Sequence, residues 1–133
     1  MVLVDSNVFF DAADTASPNH GWAVSVLRAN AGVMGINQIV YAELLHGQDA
    51  ATLDSSLSLM GVRRLDLPWD SCRIAASAFG LFLTRTRSAG VKRRSVPLPD
   101  FFIGAHAEAT GFTVATSDRA RFKTYFPKVT LVA

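Results

Sequence analysis

Residues 2–7 read VLVDSN: three apolar β-formers run straight into Asp5, Ser6 and Asn7. A short unbroken apolar run of this kind predicts a strand buried on both faces, as in a parallel sheet covered by helices. In open α/β sheets the ligand crevice lies beyond the carboxyl ends of the strands, and Asp5 falls at that place. An Asp there has an ordinary alternative, since it or Ser6 can simply cap the following helix. Chemistry is expected only if other carboxylates arrive at the same end of the sheet.

Working outward, strands and helices alternate. Val8–Ala13 suits a short helix, and Thr15–Asn19 breaks it. Ser17-Pro18 then offers a cap followed by proline at the first helical position. The next helix is expected to run to about Asn30, with Trp22, Val26 and Ala29 on one face. After Gly32, Val33–Ile36 reads as a second strand, and Asn37 caps a helix through His46 that Gly47 closes. In that helix Glu43 shares a face with Ile39 and Val40. Leu53, Leu57 and Met60 mark a further helix ending at Gly61, and VRRLDL (62–67) reads as a third strand ended by Pro68.

A long helix follows from about Trp69 to Arg87, with Ile74, Ala78, Leu81 and Phe82 toward the core. Residues 88–99, SAGVKRRSVPLP, form a loop, and Asp100 opens a helix that ends at Gly111. Phe112–Thr116 is a fourth strand, Ser117-Asp118 caps a short helix, and Val129–Val132 is a last strand. The pattern predicts one domain over 1–133, an α/β fold: a three-layer α/β/α sandwich around a mainly parallel sheet of about five strands.

Composition narrows the class. Of 133 residues, 50% are apolar, enough for a real core and too many for a disordered chain. No apolar run is long enough to cross a membrane, and Asp5 interrupts the first one, so neither a spanning segment nor a signal peptide is expected. Cys72 is the only cysteine, which excludes a disulfide within one chain; its helical context suggests a small core residue. These features fit a soluble cytoplasmic protein.

The net charge of +2 hides an asymmetry: residues 1–70 carry 3 Lys/Arg and 8 Asp/Glu, residues 71–133 carry 10 and 3. A basic face of this sort suits nucleic acid. Its densest part is Arg85, Arg87, Lys92, Arg93 and Arg94, candidate RNA contacts whose plain alternative is a solvated loop.

Asp5 and Asp118 each follow a predicted strand, Asp100 opens the helix before the strand leading to Asp118, and Glu43 lies in the helix after the second strand. All four can converge on one crevice. Two full charges about 4 Å apart repel by roughly 4 kcal/mol at an effective dielectric of 20, so such a cluster calls for a cation. Oxygen ligands without His or Cys favour Mg²⁺ or Mn²⁺ over Zn²⁺, and carboxylate-held Mg²⁺ binds phosphates. Acids beside a cationic loop thus suggest phosphodiester hydrolysis by an activated water.

Other metal–phosphate designs fit less well. A haloacid-dehalogenase-like phosphatase needs an Asp where Asn7 stands. A receiver-like, non-enzymatic acidic pocket needs an Asp ending the third strand and a Lys near the fifth, and Asp66 and Lys128 are poorly placed for those roles. There is no GxxxxGK[ST] loop. His20, His46 and His106 lack metal-ligand spacing and read as ordinary, partly exposed residues.

VLVDSNVFFDA, INQIVYAELLHG and PLPDFFIGAHAEATGFTVATSDRARF, continuing to YFPKVTLV, together resemble the PIN domain, particularly the ribonuclease toxins of VapBC-type toxin–antitoxin pairs. The matches span nearly the whole chain in the right order. The resemblance implies that Asp5, Glu43, Asp100 and Asp118 are the metal-binding, catalytic carboxylates, with Ser6 or Asn7 and Thr116 or Ser117 as accessory polar groups. It further implies a five-stranded parallel sheet, Mg²⁺- or Mn²⁺-dependent endoribonuclease activity, a homodimer, and inhibition by a small antitoxin protein. Phe9 and Phe10 are adjacent on a short helix, so at least one is expected in an apolar patch. With Trp22 they would form part of a groove for an amphipathic antitoxin segment. The Phe101-Phe102 pair after Asp100 departs from relatives that carry smaller residues there. A PIN-type nuclease in RNA processing or DNA cleavage, without an antitoxin, is the alternative reading.

Overall fold

Val2–Val4 forms β1, and it lies inside the sheet rather than at its edge. The structure is a computed structural model that describes residues 1–88, 90 and 98–133. Helices α1 (Ser6–Ala13) and α2 (His20–Ala29) lead to β2 (Met34–Ile36), then α3 (Gln38–Leu45) and α4 (Ala50–Leu59) to β3 (Val62–Arg64). The chain returns through α5 (Asp70–Ser88), a 3-10 turn (Leu98–Phe101) and α6 (Phe102–Thr110) to β4 (Thr113–Ala115), and α7 (Arg119–Tyr125) follows.

The four strands are parallel in the order β3-β2-β1-β4, with Val2 opposite both Met34 and Thr113. From β1 to β3 the chain steps in one direction; after β3 it crosses back over two strands to reach β4. The order therefore reverses between β1 and β4, and the crevice of an α/β sheet opens at such a point. Right-handed crossovers put α1–α4 on one face and α5–α7 on the other. The packing agrees: α1 lies on α2 and α3, whereas α5 lies on α6 and α7.

The expected fifth strand over 129–132 shrinks to a bridge between Leu131 and Val114. Val114 donates to the Thr130 carbonyl at 2.9 Å and Val132 donates to that of Val114 at 2.8 Å. The Val129 N–H is already committed to a turn with the Phe126 carbonyl, so only the next few residues remain to pair.

Three further expectations shift. The second helix starts at His20 with Asn19 at its cap position, not at Ser17-Pro18. Ser17 sits in a turn, where its hydroxyl donates to Asp11 and accepts the Asn19 N–H. On α5 the buried line runs through Ser71, Ala75 and Ala78. Cys72 falls just off that line and is exposed, and so does Leu81, 48% exposed.

Phe101 is fully buried and anchors the α5–α7 side. Its ring meets Phe79, Phe82, Tyr125 and Phe126 at centroid distances of 5.5, 5.6, 5.7 and 6.2 Å. Phe126 in turn lies so close to α6 that a Cβ on Gly104 would stand 2.2 Å from its ring, which keeps that position glycine. Among the described residues, no helix is long and apolar enough to cross a membrane.

Candidate active site

Five helices have an Asx residue in cap position, and of these Asn19 of α2 makes no side-chain capping bond; the other four divide into two kinds. Asn37 and Asp49 cap in the usual way, accepting the N–H of Val40 (3.2 Å) and Thr52 (3.0 Å). Asp5 and Asp118 stand at the cap positions of α1 and α7 but make no side-chain capping bond. Forgoing a cap typically costs about 1 kcal/mol of stability. The capping alternative for these two acids therefore fails, and their side chains have other partners.

Asp5 is held by a closed polar network. Its Oδ2 accepts from the Thr116 hydroxyl at 2.9 Å and from the Asn7 amide at 3.1 Å. The same Asn7 amide also reaches Thr116 Oγ1 at 3.2 Å, while Asn7 Oδ1 accepts the Ser117 N–H at 3.1 Å. Thr116 Oγ1 further accepts the Asp118 N–H at 3.0 Å. Asn7 and Thr116 thus tie the end of β1 to the turn after β4. Because the Thr116 hydroxyl accepts from two nitrogens, its single proton is left for Asp5.

Asp5, Ser6, Asn7, Glu43, Asp100, Ile103, Asp118 and Arg121 line one cavity of about 170 Å³ at the carboxyl ends of β1 and β4. All four acids singled out from the sequence, with Ser6 and Asn7, meet there. Thr116 is buried beneath, and Ser117 contributes its backbone N–H. Burial, opposed by the Thr116 and Ser6 hydrogen bonds, pushes the Asp5 carboxyl above the ordinary range, and the Asp118 and Asp100 charges push it further. Burial also raises Glu43, helped by repulsion from Asp5 and Asp100 and opposed by the Ser6 hydroxyl. Asp100 is raised by burial and Asp118, and the Arg121 guanidinium works the other way.

Arg121 is a site residue that the sequence reading does not single out. Its guanidinium stands 3.2 Å from Asp118 and 3.7 Å from Asp100. The signal was present, because Asp118 and Arg121 are i,i+3 neighbours at a helix start. Arg119 turns away and donates to the Val132 carbonyl.

The remaining candidates scatter. Phe9 and Phe10 line a separate apolar groove of about 380 Å³ with Leu27, Leu44, Leu57 and Met60; Phe9 is buried and Phe10 is 51% exposed. Trp22 does not join them. It lines a cavity on the other side of the Thr116–Ser117 turn. Arg85 and Arg87 are exposed in the last turn of α5, with Arg85 over the Tyr125 ring at 5.7 Å. Lys92, Arg93 and Arg94 lie outside the described residues.

His106, expected at the surface, is 1% exposed, because α6 is buried without a break from Ile103 to Ala107. The Asn37 amide donates to its Nδ1 at 3.3 Å, an assignment fixed by Asn37 Oδ1 already accepting the Val40 N–H.

Among the described residues, four carboxylates against one guanidinium leave the cavity strongly electronegative. Oxygen donors without His or Cys suit a hard divalent cation. Among the described residues, no trio of acidic, His or Cys side chains is drawn close enough to enclose a bare ion. An open ring with room for water fits an ion of the Mg²⁺ type, which keeps much of its hydration and takes one or two carboxylates.

The sequence matches the PIN domain family model over residues 2–126. No curated protein matches it. Among solved structures, FitAcB from Neisseria gonorrhoeae is similar with a TM-score of 0.65 at 23% identity, covering 100% of this chain and 97% of that one. DNA-bound VapBC from Salmonella typhimurium has a TM-score of 0.67 at 16% identity, covering 98% and 96%. VapC20 of Mycobacterium tuberculosis, described as a Sarcin-Ricin loop cleaving toxin, has a TM-score of 0.58 at 18% identity, covering 90% and 93%.

Proposed function

The chain belongs to the PIN domain family, and from that premise we propose that it is a divalent-metal-dependent endoribonuclease, the toxin of a toxin–antitoxin pair. The observation that carries this reading is the cavity between β1 and β4, where Asp5, Glu43, Asp100 and Asp118 face one another with, among the described residues, Arg121 alone to offset them. Such a charge imbalance burdens a fold unless a cation is part of the working state.

In this reading the four acids hold Mg²⁺ or Mn²⁺. The bound ion supplies Lewis acidity, neutralising the phosphodiester and making water a better nucleophile near neutral pH. The chain's own groups do the positioning. Asn7 and Thr116 fix the Asp5 carboxylate, Ser6 steadies Glu43, and the Ser117 N–H locks Asn7 in place. Arg121 bridges Asp100 and Asp118 and offsets the repulsion between them. Arg85 and Arg87, with Lys92, Arg93 and Arg94, serve as phosphate contacts that set register without reading bases.

The antitoxin is assigned to the groove beside Phe10. Its support is the exposed aromatic edge, together with the similar structures, one of which, from Klebsiella pneumoniae, is described as a toxin–antitoxin complex. A homodimer with both grooves occupied completes the proposal.

Purified protein should cleave single-stranded RNA in Mg²⁺ or Mn²⁺ and stop when the ion is chelated. Asp5→Asn and Asp100→Asn should each lower cleavage by at least 100-fold, as expected for groups that carry charge stabilisation. Cleavage that persists in chelator, or survives both substitutions, would sink the reading.

A further inference from the structure

The Thr116–Ser117–Asp118 turn has a cavity on each side. One holds the acids. The other, about 430 Å³, is lined by Asn19, Trp22, Thr116, Ser117, Arg119 and Ala133. Its volume falls within the roughly 300–1,000 Å³ of small-molecule sites. Its chemistry differs sharply from that of the acid cavity: a half-buried indole, a guanidinium, a primary amide and a hydroxyl, with no carboxylate side chain among the described lining residues.

Two of these groups are held in place by the backbone of the chain's last residues. Trp22 Nε1 donates to the Ala133 carbonyl at 3.0 Å, and Arg119 donates to the neighbouring Val132 carbonyl. Fixing the indole edge leaves its π-face as its means of contact. Arg119 has no ion-pair partner among the described residues, unlike Arg121. One donor of its fork is committed, and the others remain for a ligand. Aromatic faces and guanidinium planes are what proteins use to hold unstacked bases of single-stranded RNA.

We propose that this second cavity is a nucleobase subsite, which takes the base of a nucleotide next to the cleaved phosphate through stacking on Trp22 and edge contacts to Arg119, Asn19 and Ser117. The inference rests on the nuclease reading and deepens it. Thr116 and Ser117 serve both cavities: Thr116 bonds Asp5 on one side and lines the base pocket on the other. A base seated there therefore holds its own backbone against the acid cavity. Because Arg119 offers donors, a base edge rich in acceptors, such as the N7 and O6 of guanine, suits it best. Trp22 thus belongs with the substrate rather than with the partner groove, from which the structure separates it.

The chain has two tryptophans, and Trp69 is 90% exposed at the start of α5. Trp69→Phe leaves Trp22 as the sole indole and should leave cleavage unchanged. Without added metal, this protein is titrated with a single-stranded oligoribonucleotide and, separately, with an abasic ribose-phosphate chain of equal length. Trp22 emission should be quenched, saturably, by the first and not by the second. Arg119→Ala and Arg119→Lys should each weaken the quenching titration about ten-fold, the scale of losing one base contact. If RNA is bound and is cleaved in Mg²⁺, yet Trp22 emission ignores it or responds equally to the abasic chain, the subsite is overturned and the nuclease reading stands. If Arg119→Lys titrates like wild type, Arg119 supplies only charge and the base contact is overturned. Failure to bind or cleave any RNA would remove both.

Discussion

Burial and the nearby Asp118 and Asp100 charges hold the Asp5 carboxyl above its ordinary range against the pull of Thr116. In the unfolded chain it ionises near 3.8, whereas the metal-free fold keeps its proton to higher pH. Between those two values the folded state binds more protons, so stability declines as pH rises through the window and stays lower above it. Asp5→Asn removes that penalty and still accepts the Thr116 hydroxyl. Its metal-free melting temperature at pH 7 should therefore exceed wild type by a few degrees, about 0.5–2 kcal/mol, the usual gain when a functional site is relieved. Added Mg²⁺ should stabilise wild type and not the variant, through binding linkage. A variant that melts below wild type would mark Asp5 as structural. The placing of Asp5, Asp100 and Asp118 was legible in the sequence because each lies at a strand end or just ahead of a helix, where position along the chain fixes position in the fold; Glu43, inside α3, was legible only as a carboxylate on an otherwise apolar helix face. Arg121 was not weighed, because its role depends on which neighbour its long side chain finds.

At the scale of elements, α3 and α6 carry Glu43 and lead from Asp100, and a buried amide joins them. Asn37 caps α3 with one end and donates to His106 of α6 with the other. Burial lowers the His106 pKa below its ordinary 6.5, and the Phe112 ring lies beside it at 6.1 Å. The unfolded state then binds more protons between the depressed value and 6.5, so stability is full above 6.5 and falls as pH drops through that window. Protonation also turns Nδ1 into a donor facing the donor of Asn37. His106→Asn keeps an acceptor for Asn37 and cannot titrate, so its stability should fall less than that of wild type as pH drops through the same window. Chemical denaturation at a series of pH values checks this, and an unchanged slope would refute it. Sequence periodicity could not find this pair, because α6 is buried on consecutive residues and presents no polar face to set a phase. The same limit explains α5: its narrow line of Ser71, Ala75 and Ala78 was read one residue too broadly, which drew in Cys72 and Leu81. Alternation of strands and helices was legible throughout. The last strand was not, because a turn at Phe126–Val129 uses up its start.

Over the whole molecule, the acid cavity and the Phe10 groove are separate, so their functions should separate too. Phe10→Asp places a charge in the groove without touching the acids. It should leave RNA cleavage intact while weakening antitoxin inhibition by at least 30-fold, about the 2 kcal/mol that marks an aromatic anchor. Equal inhibition of both proteins would move the partner elsewhere. The strand order has one more consequence. β1 is paired with β2 on one side and with β4 on the other, so Asp5 is synthesised well before its supports. Its hydrogen-bond partner Thr116 and the last acid, Asp118, come only after β4. A nascent chain can dock β1 on β2 but leaves the other edge of β1 bare until Thr113–Ala115 emerges, and non-local pairing of this kind forms slowly. Fragments released by interrupted translation or early proteolysis thus hold Asp5, Glu43 and even Asp100 without an assembled centre. The cell that makes this protein meets a finished acid cavity only after Asp118 has been added.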